Sequence, residues 1–586
     1  MTNKNDLHFG DFYFFLKNSR YNRIILGHLR GTRMNENINV TFDNGKVISV
    51  IRNSRICDIM SEFDQPSGDI IGAYVNNEIC ALTKPLLYDC EISPILSNTI
   101  EGAKIYRRSL CLLLACASHK TFPGKRLIVG SSIDRGYFYT FDDGENVEPN
   151  QLQLLLTKMK NLVQNNLPIE PELVSYSQAC RFLEEANLTE TRKQLEFICM
   201  PSILLDTIDG FVDMHYGPVV PSTGYLKVFD LMKYDKGFLL RYPSSSDMTK
   251  LQPFVDQPAL AKVFAEYKEW GKRIGVTTVA SLNEVCTEKH NMQDFVDVAE
   301  TFQTKNISKI ASQIAQKKTA RVVLIAGPSS SGKTTTSKKL ALELLAIGIK
   351  PKVISLDDYY VGVNRTPKDE NGNPDFECLE ALDVDLLNQN LLDMFAGKTV
   401  QLPSYDFHTS SQYFDESKKM SLKPDEILIM EGIHGLNPKL TAKIPDELKF
   451  KIYLSALTQL NLDDHARIST TDNRLIRRIV RDARYRGRSA AKTISSWESV
   501  TKGEKLHIFP FQNNADAVLN TALDYELAVL AGYAIPLLRC VKPQEKEYAV
   551  ANDLLNFLFK FSHIPESCVP PRSIIREFIG GSDFSY

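Results

Sequence analysis

Val322-Val-Leu-Ile-Ala-Gly-Pro-Ser-Ser-Ser-Gly-Lys-Thr-Thr-Thr336 is the stretch on which the reading of this chain turns. Apolar residues run into Gly327-Pro328-Ser329-Ser330-Ser331-Gly332-Lys333-Thr334, and KTTTSKKLALELLAIG follows with helical periodicity and a Gly348 stop. The order predicts a strand, a glycine-bounded loop and a helix. Backbone N–H groups of such a loop, and of the first helical turn, can all point at one phosphate chain, and glycine at each end lets the backbone bend around it. Lys333 would supply positive charge to the outer phosphates and the Thr334 hydroxyl would hold Mg2+. Gly327, Pro328, Ser329, Ser330, Ser331, Gly332, Lys333, Thr334 and Thr335 are therefore the expected phosphate-binding residues, with Mg2+ at Thr334. An ordinary Gly/Ser turn would leave a lysine poorly placed beside the positive end of a helix.

At 586 residues the chain is too long for one core, and it reads as multidomain. A net charge of -2 gives no electrostatic footprint for bulk nucleic-acid binding. Eleven cysteines with irregular spacing and no CxxC pair read as reduced thiols in a cytoplasmic chain. No apolar run approaches the roughly 20 residues needed to cross a bilayer, so no membrane is expected. Residues 1–36 read as an extension. From residue 37, INVTFDNGKVISVI alternates around Asn44-Gly45 as a hairpin, opening a small β-rich module over 37–98. IYRRSLCLLLACASHKTF has helical spacing, and GYFYTF and VVPSTGYLKVFDL read as strands, which makes 99–240 an α+β domain. Residues 241–320 read as a helical linker, and 546–586 as a C-terminal segment.

Over 321–545, VVLIAG, KVISL, EILIME and FKIYLSA alternate with helical segments, predicting an α/β domain with a parallel sheet and helices on both faces. Ligands of such sheets bind at the carboxyl ends of the strands. Clusters of functional residue types fall there. Asp357, in SLDDYY, is the expected base, because phosphoryl transfer to an alcohol needs a carboxylate to orient the hydroxyl and accept its proton. Glu431 closes ILIME, where a carboxylate is costly unless it faces a cation, so it is expected at Mg2+ beside Thr334. In RLIRRIVRDARYRGR, Arg474, Arg478 and Arg481 share one helix face and Arg477, Arg481 and Arg484 the next. Such like charges repel by a few tenths of a kcal/mol per pair, and bound phosphate is the expected relief. Arg486, Gly487 and Arg488 extend the run into a turn suited to a lid.

GPSSSGKTT, SLDDYY, PSYDF, ILIMEG and RLIRRIVRDARYRGR together resemble the uridine kinase and phosphoribulokinase family of P-loop kinases. The resemblance implies Lys333 and Thr334 on ATP and Mg2+, Asp357 as base, Glu431 at the metal, and Arg478, Arg481, Arg486 and Arg488 around phosphates and substrate. Arg481 and Arg486 join Lys333 and Asp357 in the expected catalytic set. The resemblance also implies Tyr405 as a nucleoside contact and Glu377 at the place of a ribose-binding Asp. Two positions depart from it: Ser410 stands where uridine kinases carry a base-reading His, with His408 two residues earlier, and Ser496 replaces a Gln.

The amino-terminal half resembles the TGS module and the second additional domain of threonyl-tRNA synthetases, through INVTFDNGKV and YVNNEICAL for the first, and KIYRRSLCLLLACA, FPGKRLIVGSSIDRGYFYTF and GPVVPSTGYLKVFDL for the second. At the places of that domain's editing residues stand Arg108, Leu112, His215 and Val219, and one lone histidine implies that no editing occurs. The leading expectation is an ATP-dependent kinase acting on a nucleoside-like small molecule, at the 5'-hydroxyl of uridine, cytidine or another nucleoside. A sugar kinase of the same fold, and a tRNA- or RNA-binding regulatory protein with a nucleotide-driven switch, are the competing readings. Residues 370–415 offer no arginine cluster for a phosphorylated acceptor, which favours a neutral one.

Overall fold

The computed structural model describes residues 36–65, 69–287, 289–370, 372–406 and 409–585. The extension expected at the amino terminus lies, but for residue 36, outside the described residues, and so does His408. The chain is multidomain, as its patterns predict.

The β-rich module is a mixed sheet of β1 (Asn37–Phe42), β2 (Val47–Ile51), β3 (Ile70–Val75), β4 (Glu78–Cys80) and β5 (Cys90–Leu96), in the order β2-β1-β5-β3-β4. β1 and β2 form the expected hairpin, with Thr41 opposite Val47. Helix α1 (Ile100–Thr121) follows, its Thr99 side chain accepting from the Gly102 amide. The α+β domain then adds β6 (Leu127–Ile133), β7 (Gly136–Phe141), α2 (Pro149–Gln164), β8 (Glu170–Ser175), β9 (Ser202–Ile208), β10 (Phe211–Met214), β11 (Asp230–Tyr234) and β12 (Gly237–Arg241), in sheets ordered β11-β12-β7-β6 and β10-β9-β8. The strand expected over VVPSTGYLKVFDL begins only at Asp230, and a short 3-10 turn spans Thr223–Tyr225. Pro221 has no N–H for a ladder bond there.

In the carboxyl-terminal half, β13 (Val322–Ala326), β14 (Lys350–Ser355), β17 (Glu426–Glu431), β18 (Lys449–Ser455) and β19 (Ala517–Asn520) form a five-stranded, all-parallel sheet in the order β14-β17-β13-β18-β19. β15 (Val400–Asp406) and β16 (Ser411–Met420) make a separate hairpin. β13 is buried along its whole length, which explains its unbroken apolar sequence.

Within 241–320 lie α3 (Pro258–Ile274), α4 (Val279–Cys286) and α5 (Lys289–Gln316), while 242–257 is irregular. These helices are packed into the cores of the carboxyl-terminal half. Ile307, Ile310, Ala311 and Ile314 of α5 lie in one core with Val323 and Ile325 of the central strand. Val279, Leu282 and Val296 lie in another, together with residues from near the chain end such as Ile574 and Phe578.

The halves meet through the turn after β18. Asp463 accepts from the Tyr216 hydroxyl at 2.5 Å, Asp464 accepts from the Thr191 amide and hydroxyl, and His465 Nδ1 lies 2.7 Å from Asp213. Burial alone would lower the His465 pKa, but Asp213, with Asp464 and Asp463 behind it, raises it to about 9. A histidine raised above its unfolded value of about 6.5 contributes stability that is full below that pH and is lost as pH rises through the folded value. Asp463 acts in the same direction, since burial first and Asp213 second raise its carboxyl. The melting temperature of the whole chain should therefore fall as pH is raised from 6.5 to 9.5. In Asp213→Asn, thermal denaturation across this range should show lower stability at pH 6.5 and a shallower fall.

Candidate active site

The loop between β13 and α6 (Lys333–Ala346) is bent by residues in the left-handed region, Ser330 at φ +58° and Gly332 at φ +79°. A Cβ on Gly332 would sit 2.7 Å from Ile574 Cγ2, and one on Gly327 would collide with the Leu454 carbonyl oxygen, so both ends need glycine for space as well. The loop carbonyls are held by side-chain donors. Lys333 Nζ donates to Pro328 O at 3.3 Å, Arg474 to Ser329 O at 3.1 Å, Arg477 to Ser330 O at 3.3 Å, and the Thr521 hydroxyl to Ser331 O at 2.6 Å. The Ser330 and Ser331 hydroxyls are buried without a hydrogen-bond partner. Orphaned hydroxyls in a loop whose carbonyls are already bound fit a phosphate chain.

The arginine donors come from α7 (Thr470–Arg486), capped by Ser469 and stopped by Gly487 at φ +59°. Here the expectation that bound phosphate relieves the whole basic face is corrected. Arg474 is buried and forms a two-pronged pair with Glu504, one prong at 2.7 Å, and Arg477 is fully buried and paired with Glu526 at 2.5 Å. Protein carboxylates neutralise this inner pair of arginines, which act from behind the loop. The outer arginines surround Asp482. Arg478 lies 3.4 Å, Arg481 2.8 Å and Arg486 3.6 Å from its carboxylate. Burial would raise Asp482, but these guanidinium groups hold it below the usual carboxylate range. Arg478 also donates to the Ser329 hydroxyl at 2.7 Å. Arg488 donates its amide to the Asp482 carbonyl, and its guanidinium has no ion pair among the described residues.

The acidic residues converge from the strand ends. Thr334 donates its hydroxyl to Glu431 at 2.9 Å, and Ser355 does so at 3.4 Å. Glu431 is buried, and burial followed by the nearby Asp357 charge raises its carboxyl. Asp357, in a 3-10 turn started by Ser355, is raised by burial and opposed by Lys333, Arg486 and Arg481. Asp357 therefore feels the charges of both the phosphate-loop lysine and the arginine-rich turn. Buried carboxylates beside the Thr334 hydroxyl are a suitable donor set for Mg2+, which would sit on Thr334 and Glu431. Thr335 has a different immediate neighbour from the one expected: its amide and hydroxyl donate to Glu577 at 3.2 and 2.5 Å.

Glu377 and Tyr405 border the same space. Burial raises Glu377 to about 7, with Arg478 and Lys333 opposing and Glu504 adding to the rise. Its Cβ packs where Gly503 leaves room, since a Cβ on that glycine would lie 2.5 Å away. The Tyr405 ring lies 5.3 Å from that of Tyr360, which is buried among Asp357, Glu377 and Tyr405. The structure thus brings Lys333, Thr334, Asp357, Glu377, Tyr405, Glu431, Arg478, Arg481 and Arg486 around one space. Sequence reasoning missed Tyr360, Asp482, Glu504, Glu526, Thr521 and Glu577. Only Asp482 and Tyr360 stood inside quoted motifs; the others are isolated residues whose partners lie far away in sequence.

In the amino-terminal half, Leu112 and Val219 are buried in the apolar core, Arg108 donates to the Pro218 carbonyl at 2.9 Å, and His215 pairs with Asp206 at 2.8 Å. His215 is thereby held by its own domain. No group of three or more metal-ligating side chains occurs among the described residues, and no described helix is long and apolar enough to cross a membrane. All eleven cysteines are unpaired.

The phosphate loop at the carboxyl edge of a parallel sheet, with a carboxylate and arginines near it, defines a domain of the P-loop kinase class. Comparison with known proteins agrees. The sequence model of the phosphoribulokinase/uridine kinase family matches residues 322–528. A uridine kinase of Macrococcus caseolyticus is 31% identical over 201 residues, covering 34% of this chain and 86% of that protein. The chain belongs to the phosphoribulokinase/uridine kinase family, which implies ATP as phosphoryl donor. Its amino-terminal part is similar to threonine–tRNA ligases, with 29% identity over 197 residues to that of Clostridium tetani, covering 33% of this chain and 31% of the ligase. The chain spans about a third of the length of the ligases it matches. A solved chain described as a possible uridine kinase from Bacillus stearothermophilus is 22% identical, covers 37% of this chain and 98% of its own, and superposes with a TM-score of 0.25.

Removing one member of a buried ion pair strands the other, at a cost of about 3–5 kcal/mol. Arg474→Met should lose stability of that order in urea denaturation. Arg474→Met/Glu504→Leu should recover most of it while still impairing nucleotide binding, because Ser329 O has lost its donor.

Proposed function

We propose that this chain transfers the γ-phosphoryl group of ATP to the 5'-hydroxyl of a nucleoside, uridine or cytidine being the leading acceptors. The observation that carries this reading is the grouping of Glu377, Tyr360 and Tyr405 beside Asp357. A carboxylate suits a vicinal diol, an aromatic ring suits a base, and a second carboxylate suits the hydroxyl that attacks. Arg478, whose charge opposes the rise of the Glu377 carboxyl, is already engaged by Asp482 and Ser329, so a phosphorylated acceptor would lack a clamp.

In this reading Gly327 to Thr335 cradle the triphosphate and Lys333 moves from Pro328 O onto the outer phosphates. Thr334 and Glu431 would hold Mg2+, which when bound would supply positive charge against the phosphates. Asp357 aligns the acceptor hydroxyl and takes its proton as the bond to phosphorus forms. Arg481 and Arg486 neutralise charge on the transferring group, with Asp482 fixing their direction, and Arg478 and Arg488 line the acceptor side. Ser410 at the place of a base-reading histidine leaves selection among bases to other contacts. The similarity to uridine kinases supports the acceptor class, and the competing reading of a sugar kinase is tested in the same assay.

Purified chain with Mg–ATP should phosphorylate ribonucleosides in preference to free sugars. Asp357→Asn should lower kcat by about 10²–10⁴-fold with ATP affinity retained, and Lys333→Ala should weaken ATP binding as well. Turnover of sugars but not nucleosides would overturn the acceptor, and full activity of Asp357→Asn would overturn the base.

A further inference from the structure

A cavity of about 330 Å3 lies in the seam between the two halves, walled by edge strand β6, the carboxyl-terminal part of α3 and the turn from Thr458 to Arg467. Small-molecule sites typically occupy ~300–1,000 Å3. None of its lining residues belongs to the nucleotide or acceptor site described above.

Its polar wall is incompletely satisfied. Lys268 Nζ, from α3, is buried and has no hydrogen-bond partner. Burial, with neighbouring Lys272 adding to the effect, lowers its pKa to about 8. Lys272 is exposed at the rim. On the kinase side, Asp524 makes no side-chain hydrogen bond or ion pair among the described residues, and burial, with Glu526 adding, raises it to about 7. Lys268 and Asp524 do not pair with each other; the charges acting on Lys268 and on Asp524 are those of Lys272 and Glu526. The remaining acidic groups in the wall already have partners: Asp463 accepts from Tyr216, Asp464 from Thr191, Glu190 from the Thr278 hydroxyl, and Asp142 lies 3.6 Å from Arg126.

A solitary buried ammonium costs several kcal/mol, and a folded chain that keeps one beside an open cavity has a ready counter-ion site. Lys268 Nζ reaches the facing strand at Gly130, where a Cβ would lie 3.6 Å from it, an ordinary contact distance. A second unpartnered polar group in the same wall asks for a hydrogen-bond donor such as a hydroxyl.

We propose that this cavity binds a small polyol bearing one anionic group, with the anion on Lys268 and Lys272 and a hydroxyl donated to Asp524. The anion can be a phosphate ester or a carboxylate, and both sugar phosphates and sugar acids supply it. The site bridges residues of the synthetase-like half, the helical segment and the kinase half, so its ligand would tie them together.

Isothermal titration of the full chain, with the phosphate loop saturated by Mg–AMP-PNP, tests this with ribose 5-phosphate, gluconate, ribose and inorganic phosphate. Ribose 5-phosphate or gluconate is expected to bind more tightly than ribose or inorganic phosphate, and whichever of the two binds identifies the anion. Lys268→Met should weaken that binding by about tenfold or more, while removal of the stranded charge leaves the melting temperature of the free protein equal or higher. Asp524→Asn should weaken ribose 5-phosphate or gluconate more than inorganic phosphate. Failure of both polyol anions to bind, or binding unchanged in Lys268→Met, would overturn the site. Neither variant touches the catalytic groups, so a wrong acceptor assignment would leave this result standing.

Discussion

The phosphate loop works only if its carbonyl oxygens are kept off the phosphates. A loop that offers amides to one anion must find other donors for its carbonyls, and each one left unsatisfied would cost about 1–3 kcal/mol; the Ser329 amide is itself held by Glu504 at 3.2 Å. Arg474 and Arg477 meet that requirement, each neutralised by a buried carboxylate, Glu504 or Glu526. Their pairing has a further effect. A guanidinium whose charge is matched from behind can hold a carbonyl without competing for the incoming triphosphate, leaving Lys333 and the outer arginines for that work. Thr521 completes the arrangement at Ser331 O.

These anchors come from widely separated parts of the chain, which explains why the kinase core is larger than its parallel sheet. Thr521 and Glu526 follow β19, Glu504 comes from a helix beyond the arginine-rich turn, and Ile574 and Glu577 come from the carboxyl-terminal segment. Helix α5 packs its isoleucines against the sheet from the amino-terminal side of the domain. The synthetase-like half is joined to this body through Asp463, Asp464 and His465, on the turn that leaves β18, the strand beside the loop strand. The fold therefore places a polar interdomain contact next to the strand that supports the nucleotide site.

Much of this was legible in the sequence because it depends on local patterns. The loop glycines, the apolar strands and the carboxylates at their tips announce themselves within a few residues. What was not legible depends on partners distant in sequence. The basic helix shows its arginines, but nothing nearby shows that Glu504 and Glu526 neutralise Arg474 and Arg477, so the whole face was assigned to phosphate. β19 contributes AVLN alone, too short for a periodic pattern to register. Residues 241–320 read as helical, yet helical spacing does not say against what a helix packs, and Ile307 to Ile314 prove to be core. VVPSTGYLKVFDL shows the opposite failure, where apolar composition suggested a strand that its proline prevents.

The most direct test is a crystal structure of the whole chain with Mg–AMP-PNP. The account predicts the phosphates inside the loop from Gly327 to Thr335, Lys333 Nζ moved from Pro328 O to the outer phosphates, and the metal at Thr334 and Glu431. It also predicts that the carbonyls of Ser329, Ser330 and Ser331 stay on Arg474, Arg477 and Thr521. A nucleotide bound elsewhere, or one reached only after Arg474 and Arg477 leave Glu504 and Glu526 to contact phosphate, would contradict it.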